Sequence, residues 1–229
     1  MSLITFVKTN KMENTKFNYR FTAILLGLAA IMINAGYLMR PVQLQDAFNL
    51  ASLLTAHDNQ TLFIWSFRVL VFGVFLGIMG LFSLGSLLRS SPAHPILNPG
   101  VIVCCLALFV GTTAEAYFMH MGAWAGWKAS TLPAAEQEPF VKTLEVTYEW
   151  VLCLRRMGYM FFCLGFLPLG IGIIRDTFLP KGLGYFAVIF GVAGITIMLI
   201  WDSSTAFYEY VRYAYTLFFA IVAFYLVKK

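Results

Sequence analysis

Long apolar runs, broken by short polar segments, dominate the chain. The first is residues 21–39, FTAILLGLAAIMINAGYLM, and five more follow at roughly 65–88, 100–120, 150–174, 183–201 and 206–226. These runs are continuous rather than alternating, which is the pattern of spanning helices and not of the strands of about ten residues used in a membrane barrel. A helix rising about 1.5 Å per residue needs about 20 apolar residues to cross a hydrocarbon core of about 30 Å. The pattern predicts an all-α polytopic membrane protein. Residues 1–20 form a basic N-terminal segment and residues 21–229 a single six-transmembrane-helix bundle.

The segments between the runs differ in kind. RSSPAHPILNPG and RDTFLPKG carry the proline, serine and glycine of tight connections. Residues 40–63 read as a polar loop. Residues 121–146 read as a longer loop with room for a short interfacial helix, given Trp124 and Trp127 at its start. The basic flank and first apolar run also fit a signal peptide, but the run is long and five more follow, so an uncleaved anchor is expected. Met12 opens MENTKFNYR, so the first eleven residues are expected to be an upstream extension.

Composition agrees. The chain has 229 residues, 60% hydrophobic and only 12% charged, against about 25% charged in an ordinary soluble domain. The net charge of +5 reads as topology rather than nucleic-acid binding, because the basic residues flank spans. Lys8, Lys11, Lys16, Arg20, Arg89, Arg175, Lys181, Lys228 and Lys229 fall on one side; Arg40, Lys128 and Lys142 fall on the other among most of the acids. The positive-inside rule then puts both termini in the cytoplasm of a bacterial inner membrane. Trp65, Trp124, Trp127, Trp150 and Trp201 mark the outer boundary as an aromatic belt. Cys104, Cys105, Cys153 and Cys163 lie in apolar spans without a C-x-x-C pair and read as small hydrophobes, so neither a metal nor a cofactor is expected.

Candidate chemistry is the set of ionisable residues at lipid depth, which are costly there unless paired or solvated. Arg68, Glu115, His120, Glu149, Arg155, Arg156, Asp202, Glu209 and Arg212 all fall toward the outer half of their spans. Glu149 and Arg156 are seven apart and share a face; Glu209 and Arg212 are three apart and can pair on one helix. Tyr208, Arg212, Tyr215 and Phe219 make a stripe that turns toward the bundle. Glu115 has no basic neighbour on its own helix, so Arg68, Arg155 or Arg156 must supply its partner. Two readings follow. The residues line an outward-facing ligand-binding pocket, or the arginines snorkel and a Glu115–Arg pair merely fixes helix packing. Gly73-x-x-x-Gly77 marks a place for close helix approach. Met119-His120-Met121 has one histidine and two methionines on differing faces, too little for a copper site. No H-E-x-x-H, G-x-S-x-G or phosphate-binding loop is present in the sequence.

From spans three to five the chain resembles a family of uncharacterised bacterial six-helix membrane proteins, the domain of unknown function 4386. The resemblance rests on the Trp65-x-x-Arg68 start of the second span, on Glu115-Ala116 midway along the third, and on FFCLGFLPLGIGIIRDTFLPKGLGYFAVIFGVAGI. It covers about residues 17–227 and implies six helices with cytoplasmic ends. Thr112 stands where the family pattern carries arginine, so the resemblance supplies no Arg–Glu pair on the third span. It implies no reaction. Three functions are therefore expected, in order. The first is a membrane protein that binds or passes a small solute or amphiphile, in contact with membrane lipids. The second is an accessory or scaffold subunit packed against other membrane subunits. The third is an intramembrane lipid-modifying enzyme using Glu115, His120 or Asp202. The balance leans away from an enzyme, and no nucleic-acid partner is expected.

Overall fold

The computed structural model describes the backbone of residues 3–41, 49–200 and 205–229, and the side chains of 16–41, 49–200 and 210–229. The described residues form helices joined by short turns, with no strand. They form α1 (Leu3–Leu38), α2 (Leu50–Asp58), α3 (Gln60–Leu87), α4 (His94–Thr131), α5 (Ala134–Lys142), α6 (Glu145–Arg175), α7 (Lys181–Ile200) and α8 (Thr205–Val227). Six of these, α1, α3, α4, α6, α7 and α8, are long and apolar enough to cross a membrane, with α1 doing so over Lys16–Leu38. The protein is a multi-pass membrane protein.

Two segments read as loops are helical. Within 40–63, α2 starts after Asn49, whose side-chain oxygen accepts from the Ser52 N–H at 2.8 Å, the usual N-cap arrangement. Asn59 separates α2 from α3, which begins at Gln60. Within 121–146, α4 does not stop at the bilayer boundary. Its 38 residues extend about 57 Å at about 1.5 Å per residue, nearly twice the hydrocarbon thickness. Its apolar pattern continues past Met121 because Gly122, Ala125, Gly126 and Ala129 keep one small-residue face buried. α2 lies on that face. A Cβ at Gly126 would come within 2.5 Å of the Leu53 carbonyl oxygen and 3.3 Å of the His57 Cβ, so glycine is what lets α2 settle.

The bundle is a chain of neighbours. α4 packs on α6, α6 on α7, α1 on α3 and α8, and α3 on α4. The α4–α6 contact runs along glycines: a Cβ at Gly158 would sit 3.0 Å from the Gly111 nitrogen and 3.1 Å from the Ala107 carbonyl oxygen. Small residues allow this backbone approach, from which spanning helices gain their van der Waals contact. Gly73 meets α1 at Ile33, while Gly77 meets Phe219 of α8 as well as Ala29. By contrast, α8 meets α6 through rings, with Phe162 and Tyr215 centroids 4.9 Å apart and Phe166 and Phe218 5.2 Å apart.

The described residues form two apolar cores. The larger fills the spans, around Leu26, Ile33, Leu84, Val101, Phe166 and Phe218. The smaller lies under α2 and α5, where Phe63, Phe67 and Phe118 pack edge to face at 5.0–6.1 Å. At the opposite end Tyr19 of α1 and the C-terminal Lys229 meet the α6–α7 turn. Lys229 donates from Nζ to the Phe178 carbonyl at 2.9 Å, and the Tyr19 ring lies 5.5 Å from that of Phe178. Asp176 accepts from the Ser91 hydroxyl there, joining the α3–α4 and α6–α7 turns.

Substituting Gly158→Leu forces α4 and α6 apart. The expected loss is about 1–3 kcal/mol of packing, read as a lower thermal midpoint of the detergent-solubilised protein. Gly182→Leu, where a Cβ meets nothing within 4 Å, leaves the midpoint unchanged.

Candidate functional site

Between the two cores lies an ionic cluster centred on Glu115. Three spans converge on it. α1 supplies Tyr37 from its last turn and Arg40 from just beyond its end. α4 supplies Glu115, and α6 supplies Arg155. Glu115 Oε2 accepts from Arg40 Nη2 at 2.8 Å. Oε1 accepts from the Tyr37 hydroxyl at 2.9 Å and from Arg155 Nε at 2.8 Å, with Arg155 Nη2 2.7 Å away. Arg155 Nη2 also donates to the Tyr37 hydroxyl at 3.0 Å. The side chains are 0%, 5% and 11% exposed for Arg40, Glu115 and Arg155. Water therefore screens these pairs little, and neither charge could sit here without the other.

Aromatic rings hold the cations in place. The Arg40 guanidinium is sandwiched between Tyr37 and Phe67, at 4.1 and 4.0 Å from the ring centroids. Arg212 of α8 lies 3.8 Å from the Tyr37 ring centroid, so this one tyrosine ring links α1 and α8 to the carboxylate. Cation–π contact of this kind strengthens where the cation is desolvated. Arg40 Nε and Nη1 are buried with no hydrogen-bond acceptor among the described residues.

A cavity of about 30 Å³ adjoins the cluster, bounded by α1, α3, α4, α6 and α8. Glu115, Arg155, Tyr37, Tyr159 and Tyr215 form its polar end; Leu70, Val74, Ala107, Leu108 and Phe162 form an apolar remainder. That volume holds one or two waters. Oε1 of Glu115 is surrounded by donors, so the carboxylate acts here as an acceptor that organises cations. No cluster of three or more histidines, cysteines, aspartates or glutamates able to hold a metal occurs among the described residues.

The residues read from the sequence as one layer divide. Glu115, Arg155 and Arg212 come together around Tyr37. Arg68 does not: it is exposed and stacks on Trp65 at 5.1 Å, because its position on α3 faces away from α1 and α4. His120 and Glu149 are exposed as well. Arg156 is partly buried, but the ion pairs of Glu115 go to Arg40 and Arg155. Asp202 and the side chains of Tyr208 and Glu209 lie outside the described residues; Tyr215 and Phe219 of the same stripe are buried. Trp65, Trp124, Trp127 and Trp150 are exposed, and Trp201 is outside the described residues. Tyr37 and Arg40 are the site residues that the sequence reading missed. Arg40 reads as a loop charge just past the first span. The usable signal is its spacing of three from Tyr37, which puts both on one face as the helix ends.

Fold and site together define a multi-pass α-helical membrane protein with an ionic cluster buried between its spans. Comparison with protein-family models, with curated proteins and with solved structures found no match.

Glu115→Gln removes the only carboxylate, among the described residues, that pairs with these two buried guanidiniums. The expected destabilisation is about 3–5 kcal/mol, seen as a large fall in thermal midpoint, whereas Arg68→Ala leaves the midpoint within error. Combining Glu115→Gln with Arg40→Met or Arg155→Met is expected to be less damaging than the sum of the single changes, since residues sharing one network are not additive.

Proposed function

We propose that this protein binds a small solute or amphiphile in the cavity beside Glu115. The observation that carries the reading is a cavity with an ionic end and an apolar end, placed between five spans. Ligand sites in helical membrane proteins are built between helices, mostly apolar with a few placed polar groups. A pure packing device would need the ion pairs but no space next to them. The test is native mass spectrometry and thermal stabilisation of the purified protein against a panel of short amphiphiles. Ala107→Leu fills the apolar end and is expected to abolish a stabilisation that Arg68→Ala retains. If no compound stabilises the protein in an Ala107-dependent way, the binding reading fails.

A scaffold role is the second reading, favoured by one observation: the Glu115 ion pairs tie α1, α4 and α6 together. Purification in mild detergent as part of a larger assembly would support it.

We further propose membership of the domain of unknown function 4386 family, and a bacterial inner membrane with both termini in the cytoplasm. The motifs around Trp65, Glu115 and the fourth and fifth spans support the first. The second is supported by the basic residues Arg20, Arg89, Arg175, Lys181, Lys228 and Lys229 at one end of the spans. A green fluorescent protein fused after Lys229 is expected to fluoresce in cells, and alkaline phosphatase at the same point to stay inactive. The reverse pattern overturns the orientation.

A further inference from the structure

At the end of the bundle where α6 turns into α7, basic residues crown the outward faces of two packed helices. Lys16 and Arg20 belong to α1, Lys228 and Lys229 follow the last turn of α8, and all are exposed. The two helices lie side by side, since a Cβ at Gly27 would come 3.6 Å from the Ala223 Cβ. They run antiparallel, and Tyr19 and Lys229 both reach Phe178. From the Gly27–Ala223 contact, Arg20 is about 10.5 Å along α1 and Lys228 about 7.5 Å along α8, at about 1.5 Å per residue. The cations of the two helices therefore sit within one turn of the same depth.

These charges are not neutralised locally. Among the described residues the ion pairs are those of Glu115, at the far end of the spans. Over the whole sequence the acids beside this end are Glu13 and Asp176, and every other acid except Glu115 stands beside the opposite ends of the spans. Asp176 is buried and accepts from the Ser91 hydroxyl and the Phe178 N–H. The side chain of Glu13 lies outside the described residues. Even with Glu13 and the terminal carboxylate counted in full, a positive excess remains, because Arg89, Arg175 and Lys181 are exposed at this end as well. Beneath the cations run two apolar stripes. On α1, Phe17, Phe21, Ile24 and Leu28 are exposed at the three- and four-residue spacing of one helix face, with Lys16 and Arg20 beside them. On α8, Leu217, Ile221 and Phe224 are exposed, and Lys228 tops them with its Nζ 4.0 Å from the Phe224 ring centroid. Orientation of the spans asks for basic residues near their ends. It does not ask that they stand directly over the lipid-facing stripes of two adjacent helices.

We infer that the α1–α8 face at this end binds an anionic phospholipid. Lys16, Arg20 and Lys228 take its phosphate, and its two acyl chains lie along the two stripes, one to each helix. Lys229 already donates to the Phe178 carbonyl at 2.9 Å, so it adds to the positive field without being the contact. Attraction of basic residues to anionic lipid is worth about 1 kcal/mol each near the membrane surface. A lipid held here bridges the first and last spans of the chain. The inference does not depend on what the cavity beside Glu115 holds.

The test titrates lipid into the full chain in neutral maltoside micelles and counts bound lipid by native mass spectrometry. The probes are phosphatidylglycerol and phosphatidylcholine with the same dioleoyl chains. Phosphatidylglycerol is expected to bind at least tenfold tighter than phosphatidylcholine. Arg20→Gln combined with Lys228→Gln is expected to weaken phosphatidylglycerol about tenfold or more, at about 1 kcal/mol for each basic residue, and to leave phosphatidylcholine unchanged. Arg20→Lys combined with Lys228→Arg keeps the charge and is expected to keep the affinity. Arg68→Gln combined with Lys142→Gln removes as much charge from exposed positions at the opposite end and is expected to change nothing. Equal weakening by the two glutamine pairs assigns the effect to net charge and overturns the site. Glycerol phosphate that displaces phosphatidylglycerol at equal concentration assigns the face to a soluble phosphate and overturns the lipid inference. Phosphatidylglycerol bound no tighter than phosphatidylcholine, or bound as well after Arg20→Gln with Lys228→Gln, overturns it outright.

Discussion

A single carboxylate in a nearly water-free setting sets the terms for this molecule. Glu115 is bearable at its depth only because Arg40 and Arg155 reach it from two other helices, and those guanidiniums are bearable only because Glu115 is there. Each partner relieves the desolvation of the others. The end of α1, the middle of α4 and the first turns of α6 must therefore meet at one point. The glycine-lined α4–α6 contact and the α1–α3 contact are how the backbones come near enough to do so.

The ring system around the cluster gives it direction. Tyr37 donates to Glu115 through its hydroxyl while its ring receives Arg40 and Arg212. Phe67 closes the other side of Arg40 and belongs to the smaller apolar core beneath α2 and α5. The polar layer is thus sealed on one side by the spans and on the other by a small helical cap. The cavity opens from this layer toward the apolar interior of the bundle, with an ionic end and a hydrocarbon end.

Much of the fold was legible in the sequence because lipid imposes one simple requirement. A span must be long, apolar and helical, and six runs meet that demand. Helices that lie across the top were harder to read. α2 has nine residues, and the last turns of α4 carry Trp124, Trp127 and Lys128, which look like a loop boundary when read by hydropathy alone. The site was half legible. Glu115 stood out because an acid in a span demands a partner, and Arg155 was among the candidates. Arg68 failed because a helix places residues around a full circle and the sequence does not say which arc faces the neighbour. Arg40 escaped because it sits past the end of its span, where charge is ordinary.

The separation of the cluster's members along the chain has a consequence for synthesis. Arg40 is 75 residues from Glu115, and Arg155 a further 40. A ribosome delivers α1 to the membrane well before α4 and α6 have emerged. Arg40 must therefore wait at the lipid–water boundary, hydrated, and can move inward only once the later helices arrive. The last stage of assembly is then a dehydration event in which three helices lock together around one charge.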